Sequence, residues 1–218
     1  MCSGRVDLEM VLRAFLKGAD GVFIGGCRLN ECNYTTQGNY HALNMVLLCK
    51  KVLEYTGINP DRLRIEFMTS GDGILFAEIM NDFGRQIKAA GPLDNGQELP
   101  LDELRSRLEK IIGLVPYIKI KMNDKLGTRI ASPEEYESLF SSGEITQLFN
   151  EVESYHIDPE KCRSCGICAR QCPVQAITGE KKSSYIIDQE KCIRCGTCLE
   201  ACPSRFNAIS RYTSALFS

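Results

Sequence analysis

No apolar run in this 218-residue chain approaches the ~20 residues that a membrane-spanning helix needs. The opening Met1-Cys2-Ser3-Gly4-Arg5 has no apolar signal segment. Excess charge of either sign is also missing: 26 Lys and Arg against 28 Asp and Glu leave −2, without the basic footprint of a nucleic-acid binder. Histidine is rare, and both copies, His41 and His156, read as surface residues. There is no nucleophile beside a base and no carboxylate pair with a reason to titrate abnormally, so no catalytic residue is assigned. The glycine-rich Thr69-Ser70-Gly71-Asp72-Gly73 lacks the spacing of a dinucleotide loop. It reads as a tight turn, with an anion cradle before the next helix as the alternative. These absences point to a cytoplasmic protein whose thiols stay reduced.

What the chain has in abundance is cysteine, twelve residues in all. Eight fall in two runs: Cys162, Cys165, Cys168 and Cys172-Pro173, then Cys192, Cys195, Cys198 and Cys202-Pro203. The runs begin thirty residues apart (192 − 162), and their flanks repeat as Asp158-Pro159-Glu160-Lys161 and Asp188-Gln189-Glu190-Lys191. Structural zinc asks for paired knuckles and four ligands per ion, and does not require a third cysteine three residues on or a fourth before proline. The doubled spacing is that of bacterial-type ferredoxins with two cubane clusters. Each cubane has four irons, and each iron takes one thiolate. Three cysteines at i, i+3 and i+6 wrap three corners, and the fourth points to the other cluster. Cys162, Cys165, Cys168 and Cys202 are therefore assigned to the first [4Fe–4S] cluster, and Cys192, Cys195, Cys198 and Cys172 to the second. The repeat is imperfect: two extra residues follow Cys202-Pro203 compared with Cys172-Pro173.

Upstream, the pattern alternates. Residues 7–17 carry a helical stripe with Asp7 as N-cap, 21–26 read as a strand buried on both faces, and 40–56 as a helix stopped by Gly57. Residues 62–68 read as a second strand and 74–90 as an amphipathic helix. This is an α/β domain, residues 1–93, built as an incomplete three-layer fold on a parallel sheet. Two strands alone make a poor sheet, so a further strand is expected. Ligands gather at the carboxyl ends of parallel strands. That places Cys2, Cys27 and Cys32 on one edge, either as a metal site or as scattered thiols, while Cys49 shares the apolar face of its helix. Residues 94–154 read as a helical connector rich in acid (twelve acidic and seven basic residues). Within it, 101–114 is helical, 117–122 (YIKIKM) alternates as an edge strand or tether, Ser132-Pro133 opens a helix, and another runs from Ser142 to about Ser154. Residues 155–218 form an α+β ferredoxin-like two-cluster domain, with a strand at Tyr155–Asp158.

Several motifs of the first ninety residues resemble the iron–sulfur delta subunit of methyl-viologen-reducing hydrogenase. They are Cys2-Ser3-Gly4-Arg5-Val6-Asp7, Lys17-Gly18-Ala19-Asp20-Gly21-Val22, Gly26-Cys27, Cys32-Asn33-Tyr34, Gly38-Asn39, Gly57-Ile58 and the turn from Gly71 to Phe76. The resemblance implies a small α/β domain with a [2Fe–2S] cluster to which Cys2, Cys27 and Cys32 contribute. It implies electron transfer from a hydrogenase or formate dehydrogenase to a flavin-containing, heterodisulfide-reductase-like subunit. It also implies a first strand and a cysteine-rich loop ahead of Met1, so the chain is expected to be truncated at an internal methionine, as a selenocysteine codon read as a stop would produce. Two other readings stand beside this one: a flavin- or thiol-dependent oxidoreductase in its own right, and a metal-free docking adaptor carrying a ferredoxin module.

Overall fold

The computed structural model describes residues 2–34, 38–93, 99–129, 134–180 and 182–217. The chain divides into two compact units, one of residues 1–115 and 121–146, the other of 116–120 and 147–218. The 94–154 stretch thus contributes to both.

The first unit opens with a 3-10 turn (Ser3–Arg5) and α1 (Leu8–Leu16). The Asp7 carboxylate caps α1, accepting the Glu9 N–H at 3.0 Å, which satisfies a donor the helix leaves orphaned. Leu8, Val11, Leu12 and Phe15 make its buried face. Next come β1 (Val22–Gly26), α2 (Asn39–Thr56), a 3-10 turn (Pro60–Arg62), β2 (Leu63–Phe67) and α3 (Gly73–Ala90). β1 and β2 pair in parallel, Val22 opposite Leu63 through Gly26 opposite Phe67. Among the described residues no third strand joins them. The expected burial on both faces is corrected: Ile24 alone is buried in β1 and Leu63 alone in β2. A two-stranded sheet offers too little area to be sandwiched between layers. The core of this unit is instead α2, where Ala42, Met45, Val46, Cys49, Val52 and Leu53 are all buried. Cys49 is fully enclosed, and burial pushes its thiol up. On α3 only Phe83 is buried, tilted against Phe23 of β1 with ring centroids 5.7 Å apart.

Arg62 is a buried charge of this unit, 2% exposed. Its guanidinium donates to the carbonyls of Asp20 (2.8 Å), Ala90 (3.0 Å) and Gly91 (2.9 Å). A cation thus sits at the negative end of α3, where the last carbonyls lack helical partners. Asn44 ties α2 to the chain beyond it, donating to the carbonyls of Leu126 (3.1 Å) and Thr128 (2.6 Å).

The following helices are α4 (Leu101–Gly113), α5 (Val115–Lys121), α6 (Asn123–Leu126), α7 (Glu134–Leu139) and α8 (Ser142–Asn150). Two expectations change here. Residues 117–122 are not a strand: Val115, Ile118 and Met122 are buried at helical spacing, and Pro116 sits in the first turn of α5, where its missing N–H costs nothing. α8 stops at Asn150, short of Ser154, because Val152 already belongs to a strand. The helix start expected at Ser132-Pro133 lies outside the described residues.

The second unit carries β3 (Val152–Ile157), α9 (Ile167–Gln171), β4 (Ile177–Thr178), β5 (Ile186–Ile187), α10 (Thr197–Ala201) and β6 (Ile209–Ser214). β3 pairs antiparallel with β6, Ile157 opposite Ile209, and β4 with β5, Ile177 opposite Ile187. These four isoleucines pack with Tyr155, Cys168 and Cys198 in one core. Replacing Arg62 with Met would strand the carbonyls it holds. A loss of about 3 kcal/mol is expected, since unsatisfied buried groups cost about 1–3 kcal/mol each. It would be read as a lower urea midpoint at unchanged slope.

Candidate metal centres

Each cysteine run makes a loop, then a single helical turn. The backbone must reverse sharply inside the loop, and Ser164 (φ 52°) with Gly166 (φ 67°) does this in the first run, Arg194 (φ 57°) with Gly196 (φ 81°) in the second. The glycines are also sterically required. A Cβ on Gly166 would lie 2.9 Å from the Tyr185 hydroxyl oxygen, and one on Gly196 3.0 Å from that of Tyr155. Asp158 and Asp188 brace the two loops alike. Asp158 Oδ1 accepts the Glu160 N–H at 2.9 Å and Asp188 Oδ1 the Glu190 N–H at 3.0 Å, each with a lysine three residues on at 3.2 Å. These bonds hold both carboxyls below the usual carboxylate range, the lysine contributing most in each.

The loops line two cavities of nearly equal size, both partly open to solvent. The first is lined by Cys162, Cys165, Cys168 and Cys202 together with Tyr185 and Phe206. Around the second stand Cys192, Cys195, Cys198 and Cys172 with Tyr155 and Val174. Three cysteines of each cavity come from one run and the fourth from the other. Among the described residues no three His, Cys, Asp or Glu side chains stand close enough to share a single metal ion. Four thiols spread around a cavity suit a group of several irons, each with its own thiolate, and do not suit one tetrahedral ion. The donor set therefore fits two [4Fe–4S] clusters.

The electrostatics agree. Burial first, then neighbouring thiols, push up Cys168, and Cys198 is pushed up to about 11. Burial raises Cys192 as well, against the pull of the Arg194 charge. Such thiols ionise readily only when cations replace their protons. The crossing cysteines each receive a backbone donor: Ala176 N–H to Cys172 Sγ at 3.2 Å, and Ala208 N–H to Cys202 Sγ at 3.4 Å. The two extra residues after Pro203 are absorbed in a turn that puts Phe206 in the wall of the first cavity and restores the alanine donor.

Tyr155 and Tyr185 are wall residues that the cysteine spacing does not reveal. They stand thirty residues apart, the period of the runs, and that offset is the signal that could have found them. Each lies seven positions before one run yet covers the glycine of the other. Burial and the Glu153 carboxylate, 3.0 Å from its oxygen, push the Tyr155 hydroxyl up.

In the first unit, Cys2 and Cys32 come together, Sγ to Sγ at 3.7 Å, and Cys2 Sγ accepts the Gly4 N–H at 3.4 Å. Asn39, 1% exposed, donates to the carbonyls of Cys27 (2.9 Å) and Arg28 (2.6 Å), fixing the turn after β1. A side chain at Gly38 would collide with Cys32 Sγ and the Tyr34 carbonyl. Burial and then the neighbouring thiols push Cys27 up. Burial acts the same way on Cys32, but the Tyr34 and Asn39 N–H groups and the other two thiols outweigh it and hold it below the ordinary value. His41 is elsewhere, its Nδ1 3.2 Å from the Leu126 carbonyl, and His156 is an exposed residue of β3. The Thr69–Gly73 turn is closed by Asp72, which accepts the Thr69 N–H at 2.7 Å and pairs with Arg28 at 2.8 Å. A carboxylate already sits where an anion would go, so the turn reading holds.

Because thiolate is the nucleophile, Cys32 of the metal-free chain should react with iodoacetamide at neutral pH faster than Cys27, and Cys49 slowest of the three. Peptide mapping after timed alkylation reads the order, and Cys27 labelling first would contradict it.

The family model for the delta subunit of methyl-viologen-reducing hydrogenase matches residues 1–91, and that for a 4Fe-4S dicluster domain matches 161–206. An F420-non-reducing hydrogenase iron-sulfur protein of Archaeoglobus profundus is 45% identical over 91 residues, which is 42% of this chain and 66% of that protein. The vhu iron-sulfur protein of the F420-non-reducing hydrogenase of Methanopyrus kandleri is 39% identical over 92 residues, 42% of this chain and 69% of that one. A component of the ferredoxin:CoB-CoM heterodisulfide reductase of Methanosarcina mazei is 34% identical over 111 residues, 51% of this chain and 14% of that one. The matched part spans just under two thirds of the Archaeoglobus relative. Through its first 91 residues, the chain belongs to the methyl-viologen-reducing hydrogenase delta-subunit family.

Proposed function

We infer that this protein is an electron-transfer subunit of a hydrogenase and heterodisulfide-reductase type of complex. The observation that carries the reading is the pair of matched cavities, each ringed by four cysteines drawn three from one run and one from the other. In this reading Cys162, Cys165, Cys168 and Cys202 hold one [4Fe–4S] cluster, and Cys192, Cys195, Cys198 and Cys172 the other. Cys2, Cys27 and Cys32 contribute to a [2Fe–2S] site. A flavin-containing, heterodisulfide-reductase-like subunit is the proposed partner on one side, and a hydrogenase or formate dehydrogenase on the other. The names of the relatives support a hydrogenase and a heterodisulfide-reductase setting.

An iron–sulfur cluster, when bound, takes up and releases single electrons without making or breaking bonds to a substrate. The chain's own residues supply the surroundings. Tyr155, Tyr185 and the core isoleucines give the cavities apolar walls, and the Ala176 and Ala208 N–H groups stabilise charge on the crossing thiolates. Besides the thiols, the polar side chains that line the cavities are Arg163 and Tyr185 in the first and Tyr155 and Thr197 in the second, with no histidine or carboxylate among the described lining residues. That composition suits electron passage.

Anaerobic reconstitution should yield about eight irons per chain from the paired runs and about ten with the two-iron site. Zinc in place of iron would falsify the reading. Cys202→Ala should damage the EPR signal of the cluster held by Cys162, Cys165 and Cys168, and Cys172→Ala the other. Damage confined to the variant's own run would reverse the ligand assignment.

A further inference from the structure

The thirty-residue repeat relates the two cysteine loops position by position, so any difference between them is a difference between the two sites. One such difference touches a ligand atom. Thr197 lines the second cavity, and its Oγ1 lies 3.3 Å from Cys195 Sγ. The residue thirty positions earlier is Ile167, which has no hydroxyl to offer Cys165. In the metal-free chain the Cys195 thiol donates to the Thr197 Oγ1. A metal-bound thiolate has no proton left, so the hydroxyl must be the donor and its hydrogen turns toward the sulfur. Hydrogen bonds to cluster sulfurs stabilise the added negative charge of the reduced form and raise the reduction potential.

The group is well held for that role. Thr197 is the first residue of α10, directly after the left-handed Gly196, and its branched Cβ restricts rotation about χ1. A second asymmetry acts in the same direction. Arg194 replaces Ser164 of the first loop. The Ser164 hydroxyl donates to the Ser183 carbonyl at 2.5 Å, whereas the Arg194 Nε–H is buried and has no partner among the described residues. The Arg194 charge lies near Cys192, and a positive charge there favours the more negative, reduced form of a cluster. Arg163, in the wall of the first cavity, is exposed, and solvent screens it.

We propose that the Thr197 hydroxyl, donating to the Cys195 thiolate, sets the potential of the second cluster and distinguishes it from the first. This rests on the two-cluster reading above. The test is an EPR-monitored redox titration of the reconstituted full chain carrying Thr197→Val, Thr197→Ser or Ile167→Thr. Valine keeps the shape of threonine and removes the donor. It should shift one of the two midpoint potentials to a more negative value and leave the other in place. Serine, which keeps the donor, should return the shifted potential toward the wild-type value. Ile167→Thr should raise the potential that Thr197→Val leaves unmoved. Two intact signals with no shift in the valine variant, equal shifts of both, or a serine variant that behaves like valine would each overturn the role of Thr197 while leaving the clusters standing. A wild-type chain that takes up no iron would overturn both inferences together.

Discussion

Eight thiols converge inside a module that has almost nothing else to fold around. Its two central strands are two residues each and its helices single turns, so the usual apolar core is replaced by sulfur, four isoleucines and two tyrosines. Burial and mutual repulsion oppose ionising Cys168, Cys192 and Cys198. Metal coordination removes that opposition, because each proton is exchanged for a bond to a cation. Loading the sites would therefore also help to hold the module together. The tight loops, the left-handed glycines and the braces at Asp158 and Asp188 all serve to bring thiols to these positions.

The first unit is organised differently. Its stability resides in α2 and the helices around it, not in the two-stranded sheet. Polar groups do the fine placement: Arg62 gathers carbonyls beyond the end of α3, and Asn39 fixes the turn after β1. The Cys2 and Cys32 thiols meet beside this turn, on the carboxyl side of the parallel strands, the edge where such sheets gather their ligands. One constraint is local packing around Gly38, the other the direction of the strands.

The grouping of eight cysteines around two cavities was legible because the proposed ligation asks for fixed spacings within one short stretch. The repeat in Cys162–Cys202 is a direct image of that demand. The wall residues were less legible, since Tyr155 and Tyr185 act on the loop of the opposite half, a relation that only the fold displays. Residues 117–122 misread because YIKIKM alternates like a strand, while the deciding partners, Val115 and Met122, lie at its ends and mark a helical face. β3 begins earlier than expected since Val152 and Ser154 gain their partners, Ser214 and Tyr212, from the far end of the chain. No local pattern carries that pairing.

The exchange of one cysteine between the two runs has a topological consequence. Each half of the module, some thirty residues long, surrounds its own cavity with three thiols and sends the fourth across. A half by itself would be left with an open corner and an idle sulfur. Two identical halves facing each other would satisfy both, by the same swap that the single chain now makes internally. The present covalent link between the halves turns that dimer-like arrangement into an intramolecular one. The two halves need not then be identical, and they differ at Ile167 and Thr197.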